Sequence, residues 1–473
     1  MGYDIRADYN QQYLLPRRLE DWIDERHPAR FVRNFVDSLD LKKLGFREHE
    51  AIHGRPPYST ELKLKGWVYG YFKKIYSSRG LETATHDNVG MIWLMGENHP
   101  DHNTFWSFWD ENRKAIREVY RSVTHVAKRS GRIKMVLHAL DGTKIQANVS
   151  NGKGLKLEDL LKEQSEIDSA IDEIMSIIES RRKKEESGDM DLTEELDALE
   201  MQSFVVDGLL SELAQIDREY INPVDLDARM MKCGKTNDFA YNAQAVVDEA
   251  SGLIVAQDVV NDESDNNMLT PMIAKVGENL GEKAEETAAD GGYYSPEQLF
   301  QAEEAGVDVL VNIGEQIEPK GDGQEFHKSK FSYDAEKDVV ICPQGKELLF
   351  ERVKKNKSKK HDLRLYRCKH GKHCPLSTKC TDEKRGRSIE IEPHYEAIRR
   401  QIAKQKEPYK KELLAKRKQI VEPVFGIIKH CMGFRRFTVR GLENVKTQFS
   451  LICTTYNLHK LYEVWRARKL VFA

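Results

Sequence analysis

Hydrophobic and polar positions divide the chain into stretches of helical and of strand periodicity. Over residues 1 to about 130, apolar and aromatic residues recur at helical spacing in ELKLKGWVYGYFKKIYSS and again from His102 onward. Ser59 or Thr60, at the end of the turn GRPPYST, is a candidate N-cap. Short helices around turns are typical of DNA-binding modules, although an ordinary bundle with an aromatic core gives the same pattern.

The periodicity changes to that of strands after Lys134. MVLHALDGTKI predicts a strand ending at Asp141, and FAYNAQAVVD with GLIVAQDVV predicts a β-hairpin. ETAAD predicts a strand that stops at Asp290, and VDVLVNI predicts another short strand. Helical stretches separate them, and a long late helix is expected from about His394 to Lys429, with breaks at Pro408 and near Pro423. This order predicts an α/β fold, a mixed sheet with helices packed on it.

Two segments interrupt this order. Residues 155–220 carry 20 acidic against 7 basic side chains and show helical apolar spacing, which predicts a coiled-coil-like hairpin, either an oligomer contact or a solvated protrusion. Residues 315–395 are rich in lysine, with 14 basic against 3 acidic side chains between positions 352 and 387. We therefore predict an N-terminal helical DNA-binding domain at 1–130 and a catalytic domain at 131–473 that contains both inserts.

Charge and composition narrow the class of protein. The formal net charge is only −3, but the acidic insert hides a basic remainder of the kind that binds nucleic acid. With 40% hydrophobic and 32% charged residues the composition is that of a soluble globular protein, and no window approaches the roughly 18 apolar residues of a membrane span. The first residues contain no apolar signal region, so a cytoplasmic protein is expected.

Three carboxylates are candidates for a metal centre. Asp141 and Asp290 each end a predicted strand, and Glu422 lies in the late helix that could pack on the sheet. Two Mg²⁺ ions held by such a set stabilise the attacking and leaving oxygens of a phosphodiester. An aspartate at the end of a strand is, taken alone, more often a turn or cap residue.

Basic residues near Glu422 are candidate DNA contacts. Lys429 lies two helical turns after Glu422, and Lys418 lies one turn before it, so both could reach DNA phosphates. A basic solvated helix face is the alternative, above all for Lys418. The segment GFRRFTVRG adds Arg435, Arg436 and Arg440 as further candidates.

Four of the seven cysteines fall within forty residues of the basic insert. Their clustering in a basic segment indicates a structural Zn²⁺ site, with unlinked cysteines on a loop as the alternative. His370 and His373 are substitute ligands. The four cysteines are Cys342, Cys368, Cys374 and Cys380.

These segments resemble the DDE transposases of bacterial insertion sequences. HALDGTKIQANVS and TAADGGYYS resemble the two aspartate segments of that family, and VEPVFGIIKHCMGFRRFTVRG resembles its C-terminal signature. GRPPYSTELKLKGWVYGYFKKIYSSRGLE and ENHPDHNTFWSFW resemble the N-terminal domain that often precedes the catalytic core. The late signature usually carries Tyr, Arg, Glu and Lys; here Glu422 and Lys429 match, whereas Lys418 and Ala415 replace the Arg and the Tyr.

The resemblance implies an RNase H-like fold with a five-stranded mixed sheet and a catalytic triad of Asp141, Asp290 and Glu422 that binds two Mg²⁺ or Mn²⁺ ions. It further implies an enzyme that binds terminal inverted repeats, cleaves double-stranded DNA and joins the freed 3′-OH to target DNA, as a homodimer on DNA in a bacterial nucleoid. A nuclease of the same fold without strand transfer, or a domesticated DNA-binding protein, are the alternatives.

Overall fold

The computed structural model describes residues 18–47, 56–183, 190–216, 218–313, 325–355, 362–381, 383, 385–467, 470 and 472. Its helices are α1 (Pro28–Asp37), α2 (Thr60–Phe72), α3 (Ser78–Asp87), α4 (Val89–Met95), α5 (His102–Glu111), α6 (Arg113–Arg129), α7 (Leu157–Lys183), α8 (Met190–Ile216), α9 (Leu269–Leu280), α10 (Pro296–Glu304), α11 (Ser377–Cys380), α12 (Tyr395–Lys406), α13 (Pro408–Gly426) and α14 (Leu442–Arg466). Its strands are β1 (Leu137–Gln146), β2 (Leu155–Lys156), β3 (Tyr220–Ile221), β4 (Arg229–Cys233), β5 (Thr236–Asp248), β6 (Ile254–Val260), β7 (Glu286–Ala289), β8 (Asp308–Val311), β9 (Ser332–Asp334), β10 (Val339–Ile341), β11 (Glu347–Lys354), β12 (Leu363–Cys368) and β13 (Ser388–Ile391).

Six strands form the main sheet, in the order β4-β5-β1-β7-β8 with β6 also paired to β5. The hairpin β5–β6 is antiparallel, and β5 is antiparallel to β1, whereas β1, β7 and β8 run parallel. The predicted mixed α/β fold is confirmed, with short β4 added to the expected five strands. β1 does not end at Asp141 as predicted, because it continues to Gln146, paired with residues 240–248 of its antiparallel partner β5.

Helices cover both sides of this sheet. On one side α13 packs against β1, β5, β7 and β8, and Leu413 of α13 meets Leu137, Ala288 and Leu310 in a small apolar cluster. Elsewhere α9 and α14 pack against β6, and α14 also packs along α6. The predicted late helix is broken at Glu407, before Pro408, and ends in a π-helical turn at Ile427–Cys431.

The N-terminal helices share one hydrophobic cluster with the main sheet and α14. Ser59 is the N-cap of α2, where its hydroxyl accepts a hydrogen bond from the amide of Leu62. All of α2 except Glu61 and Leu62 is buried, so this helix forms core rather than a DNA-reading face. The domain boundary near 130 and DNA binding by this segment remain predictions.

The acidic insert is a helical hairpin in the described residues: α7 and α8 pack on each other around Leu160, Ile167, Val206 and Leu213. The two-residue ribbon β2–β3 closes its base. The stretch SGDMD between the two helices lies mostly outside the described residues. None of the described helices is long and apolar enough to cross a membrane.

The basic insert folds around a sheet that the sequence did not predict. Its five antiparallel strands follow the order β13-β12-β11-β10-β9, and we call it the cysteine sheet. Its hydrophobic cluster is small: Phe331, Val340, Leu348, Tyr366, Ile389 and Ile391.

Candidate active site

Asp141 and Asp290 lie side by side because of the register between two parallel strands. Leu140 of β1 pairs with Ala289, the last residue of β7. Asp141 directly follows Leu140, and Asp290 directly follows Ala289. β7 stops there while β1 continues, so the edge of β1 is open beside Asp141. The structure therefore brings together the two aspartates that the sequence selected.

A buried arginine accompanies Asp141. Arg417 of α13 is 5% exposed, and its Nη1 lies 3.2 Å from Oδ2 of Asp141. Nη1 has no aligned hydrogen-bond acceptor among the described residues, so the contact is an ion pair without a proper hydrogen bond. Sequence reasoning missed Arg417, since it considered only its neighbour Lys418.

Burial raises the pKa of Asp141 above its ordinary value, the charge of Asp290 raises it further, and the guanidinium of Arg417 lowers it. The other oxygen of Asp141 accepts a hydrogen bond from the amide of Gly142 at 2.9 Å. A second cation beside the two aspartates would stabilise their charged forms.

Asp290 opens a tight turn after β7. Its Oδ1 accepts a hydrogen bond from the amide of Gly292 at 2.8 Å. A Cβ at Gly291 would lie 2.8 Å from the carbonyl oxygen of Asn312, and a Cβ at Gly292 would lie 3.0 Å from Asp290 Oδ1. The two glycines after Asp290 are therefore required by close packing of the turn.

Glu422 lies on α13, one and a half turns after Arg417, but its side chain is exposed. Among the described residues no contact joins Glu422 to Asp141 or Asp290, and no group of three His, Cys, Asp or Glu side chains is placed to hold a metal ion. α13 is nevertheless fixed on the sheet, because Lys410 at its start pairs with Glu286 of β7 and Asp308 of β8 at 2.6 and 2.8 Å.

Lys429 reaches back to β1. Its ammonium donates hydrogen bonds to Oγ1 of Thr143 at 2.6 Å and to the carbonyl of Lys144 at 2.9 Å. Burial lowers its pKa, and nearby Cys233 opposes that shift. Lys429 lies in the π-helical turn, which directs its side chain toward β1. Lys418, in contrast, is exposed. A phosphate contact by either lysine remains a prediction.

The late arginines flank a groove that continues from the end of β1. Arg436 and Arg440 line it with Asn148, Ser150, Asn151 and Lys153. Arg436 bonds to the side chain of Gln146, and Arg440 donates to the carbonyl of Asn148. Arg435 instead donates to the carbonyl of Lys429 and contacts His430. Gln146 is five residues beyond Asp141, so the groove begins roughly 17 Å from that carboxylate.

The four clustered cysteines line a single pocket of the cysteine sheet, with Phe331, Leu348 and Arg387. Cys342 begins a tight turn in which its sulfur accepts a hydrogen bond from the amide of Lys346 at 3.3 Å. Burial raises the pKa of Cys380, and the other three thiols of the cluster raise it further, whereas Arg387 lowers it.

Comparison with known proteins adds two family matches. Residues 341–462 match the model described as a transposase DDE domain, and residues 17–111 match a second model described as a transposase domain. The chain belongs to the insertion-sequence DDE transposases. It is an enzyme that acts on DNA. No curated protein and no solved structure matches the chain.

The DDE match includes Glu422, Lys429 and the four clustered cysteines of this transposase, but neither Asp141 nor Asp290. The matched segments therefore do not reach the strands that carry the two aspartates, and the triad remains a prediction. Two adjacent, partly buried carboxylates offer the oxygen ligands that a hard divalent cation prefers.

Proposed function

We propose that this transposase binds the inverted repeats at the ends of its element, cleaves a phosphodiester there and transfers the freed 3′-OH to target DNA. Asp141, Asp290 and Glu422 are the residues that would hold two Mg²⁺ or Mn²⁺ ions. Such ions, when bound, supply charge neutralisation at the attacking and leaving oxygens. The placement of Asp141 and Asp290 on adjacent parallel strands carries the proposal.

An RNase H-like core is part of this proposal. Its support is the strand order in which the antiparallel hairpin β5–β6 lies on one side of β1 and the parallel strands β7 and β8 lie on the other. The helix α13, which crosses β1, β7 and β8, carries both Arg417 and Glu422.

The protein side chains have separate tasks. Asp141 and Asp290 would hold the ions, which would neutralise charge on the reacting phosphate, and the guanidinium of Arg417 favours the charged form of Asp141. Arg436, Arg440 and Lys153 attract the DNA backbone along the groove, which makes the affinity fall steeply with salt. A homodimer is included because two element ends must be processed together.

The direct test is cleavage and strand transfer of labelled element ends by full-length Asp141→Asn, Asp290→Asn and Glu422→Gln variants. Each is expected to bind the ends as wild type does and to lose cleavage and strand transfer in Mg²⁺ and in Mn²⁺. Arg440→Gln should instead weaken end binding and its salt dependence. Cleavage retained by Asp141→Asn would refute the proposal, and cleavage without joining of pre-cut ends would indicate a nuclease.

A structural Zn²⁺ ion bound by Cys342, Cys368, Cys374 and Cys380 is the second part of the proposal. Its support is their convergence on one pocket and the amide of Lys346, which donates to the Cys342 sulfur. Four neighbouring thiols lose their protons together only when a cation offsets the charge. The measurement is zinc content by atomic absorption of protein purified without added metal, where about one ion per chain is expected.

A further inference from the structure

One side of α8 in the acidic hairpin carries exposed apolar side chains. Phe204 is 80% exposed and Met201 is 72% exposed, and Val205 is exposed as well. Together with Gly208 these residues recur at positions i, i+3, i+4 and i+7, which places them on one side of the helix. A Cβ at Gly208 would meet no described atom within 4 Å, so this side is open there. We call these four residues the outer face of α8.

The core of the hairpin lies on the opposite side of α8. Val206 and Leu213 pack with Leu160 and Ile167 of α7. Val206 is two residues from Phe204, so the two side chains point about 160° apart around the helix axis. Packing within the hairpin therefore leaves the outer face free for another surface.

The outer face is bordered by negative charge. Over Met190–Ile216, α8 contains seven acidic and no basic residues. Asp197 lies one turn before Met201, and Glu212 lies one turn after Gly208; both are exposed. Like charges opposed across an interface are unfavourable, so DNA or a second acidic helix would be repelled here. A partner that fits this face is both apolar and basic.

The cysteine sheet has apolar side chains of this kind where its hydrophobic cluster ends. Phe350 of β11 pairs with the fully buried Tyr366 of β12, and their rings lie 5.8 Å apart, yet Phe350 is exposed. The β-bulge after Phe350 adds one residue to β11, so Val353, opposite Arg364, returns to the same side of the sheet. Val353 is exposed too. The core side of β11 and β12 therefore continues into two exposed apolar side chains.

Positive charge surrounds these two side chains. The guanidinium of Arg364 lies 4.7 Å from the ring centroid of Phe350, and Arg352 and Lys355, close by in the chain, are exposed. The ion pair of Arg364 with Asp338 neutralises part of this charge, but residues 352–387 carry 14 basic against 3 acidic side chains. We call Phe350, Val353, Arg352, Lys355 and Arg364 the basic end of the cysteine sheet.

We propose that the outer face of α8 docks on the basic end of the cysteine sheet in a second copy of the chain. The inference rests on the homodimer of the proposed function and names its contact surfaces. Within one copy α8 packs on α7 and β3, and its outer face stays exposed. Anchors at i, i+3, i+4 and i+7 are the usual way in which a helix binds an apolar surface, and opposite charges select the partner. A two-fold axis would repeat the contact and so double the buried area.

The test is the dimer dissociation constant of the full-length protein, measured by sedimentation equilibrium with and without element-end DNA. Phe204→Ser and Val353→Ser should each weaken the dimer at least about 10-fold, because truncation of a central interface anchor costs that much or more. Val89→Ser, which changes a similarly exposed valine at the start of α4, should dimerise as wild type does. All three side chains are exposed, so the melting temperatures should stay unchanged.

A mixture of the two variants tests whether the two surfaces meet each other. A mixed dimer of Phe204→Ser and Val353→Ser keeps one intact contact, between the unchanged α8 of one copy and the unchanged sheet of the other. Each variant alone keeps none, so the mixed dimer should be stronger than both homodimers. If α8 instead met α8, the mixed dimer would not exceed the Val353→Ser homodimer. Should a serine variant fail to fold, Asp197→Lys and Arg352→Glu replace the pair, and the same recovery in their mixture is expected.

A wild-type dissociation constant in either Phe204→Ser or Val353→Ser would overturn the inference, as would a mixed dimer no stronger than the homodimers. Weaker binding of element ends by Val353→Ser with an unchanged dimer would assign the basic end to DNA instead. A wild-type protein that stays monomeric with and without DNA would remove the homodimer from the proposed function itself. A wild-type dimer that both variants retain would remove only this inference.

Discussion

Candidate functional side chains lie together in both the main sheet and the cysteine sheet, but the apolar cores of the two sheets differ greatly in size. In the main sheet, Asp141 and Asp290 are placed by parallel register and by helices on both sides. In the cysteine sheet, six buried residues form the hydrophobic cluster, and the cysteines lie at strand ends, in a connecting turn and at the end of α11. A large buried apolar core supports the first site. The second site has so little apolar area that its own ligands would have to stabilise the surrounding sheet.

The largest expected effect is on the cysteine sheet. Structural zinc contributes about 10–16 kcal/mol to small metal-bound units, so a chelator or Cys374→Ser should unfold this sheet and leave the main sheet folded. Hydrogen exchange should become fast in β10–β12 and stay slow in β5. Cys431→Ser, an exposed cysteine outside the cluster, is the matched control. Slow exchange in β10–β12 after chelation would show that the two sheets are stabilised alike.

Truncation of one buried leucine in each sheet compares the two cores directly. Leu140 and Leu348 are both fully buried in strands. Leu140→Ala should lower the free energy of global unfolding by about 2–5 kcal/mol, because the surrounding helices cannot close the cavity. Leu348→Ala should cost less and should affect only the cysteine sheet, which can collapse around the gap. Denaturant unfolding with hydrogen exchange measures both, and equal global losses would contradict the comparison.

Low pH should weaken the main sheet through His138. This side chain is fully buried, 3.7 Å from Asp248, and burial lowers its pKa to about 4, although Asp248 opposes that shift. Between its ordinary pKa of 6.5 and about 4 the unfolded chain binds the extra proton, so stability falls as pH drops through this range, by at most about 3 kcal/mol. His138→Leu should flatten the dependence measured by thermal unfolding. An equally steep loss in that variant would assign the effect to another group.

The smallest expected effect concerns the ion pairs of α13. Lys410→Met leaves Glu286 and Asp308 without this ammonium and should cost about 1 kcal/mol of stability. Cleavage should fall by a larger factor, because α13 carries Glu422 and Arg417. Lys416→Met, which removes a more exposed pair with Glu249, is the control and should change neither quantity measurably. Equal cleavage by both variants would show that Lys410 does not position the site.

Local patterns predicted the elements of the main sheet because each strand and helix has its own periodicity and breakers. The hairpin β5–β6, the helices α9 and α10, and the strand before Asp290 were all recognised in this way.

The directions of side chains on the late helix explain why sequence reasoning misplaced one basic residue and missed another. Lys429 was placed by α-helical counting, but the π-helical turn changes the direction of its side chain toward β1. Arg417 has no local signal that distinguishes it from the other basic residues of α13.

The cysteine sheet was missed because its short strands are interleaved with lysines and turns, which hide the alternation of apolar residues.

The two junctions of the basic insert lie near each other on the main sheet. The chain leaves after β8, and where it returns, His394 stacks on Phe300 of α10 and pairs with Glu297. The side-chain amide of Gln401 donates to the carbonyl of Val309 and accepts from the amide of Val311, both in β8. An insert whose two ends lie close together and are both anchored is a separable module. It could be exchanged for another metal-binding or DNA-binding module without disturbing the strands that carry Asp141 and Asp290, which offers a route to transposases with altered end specificity.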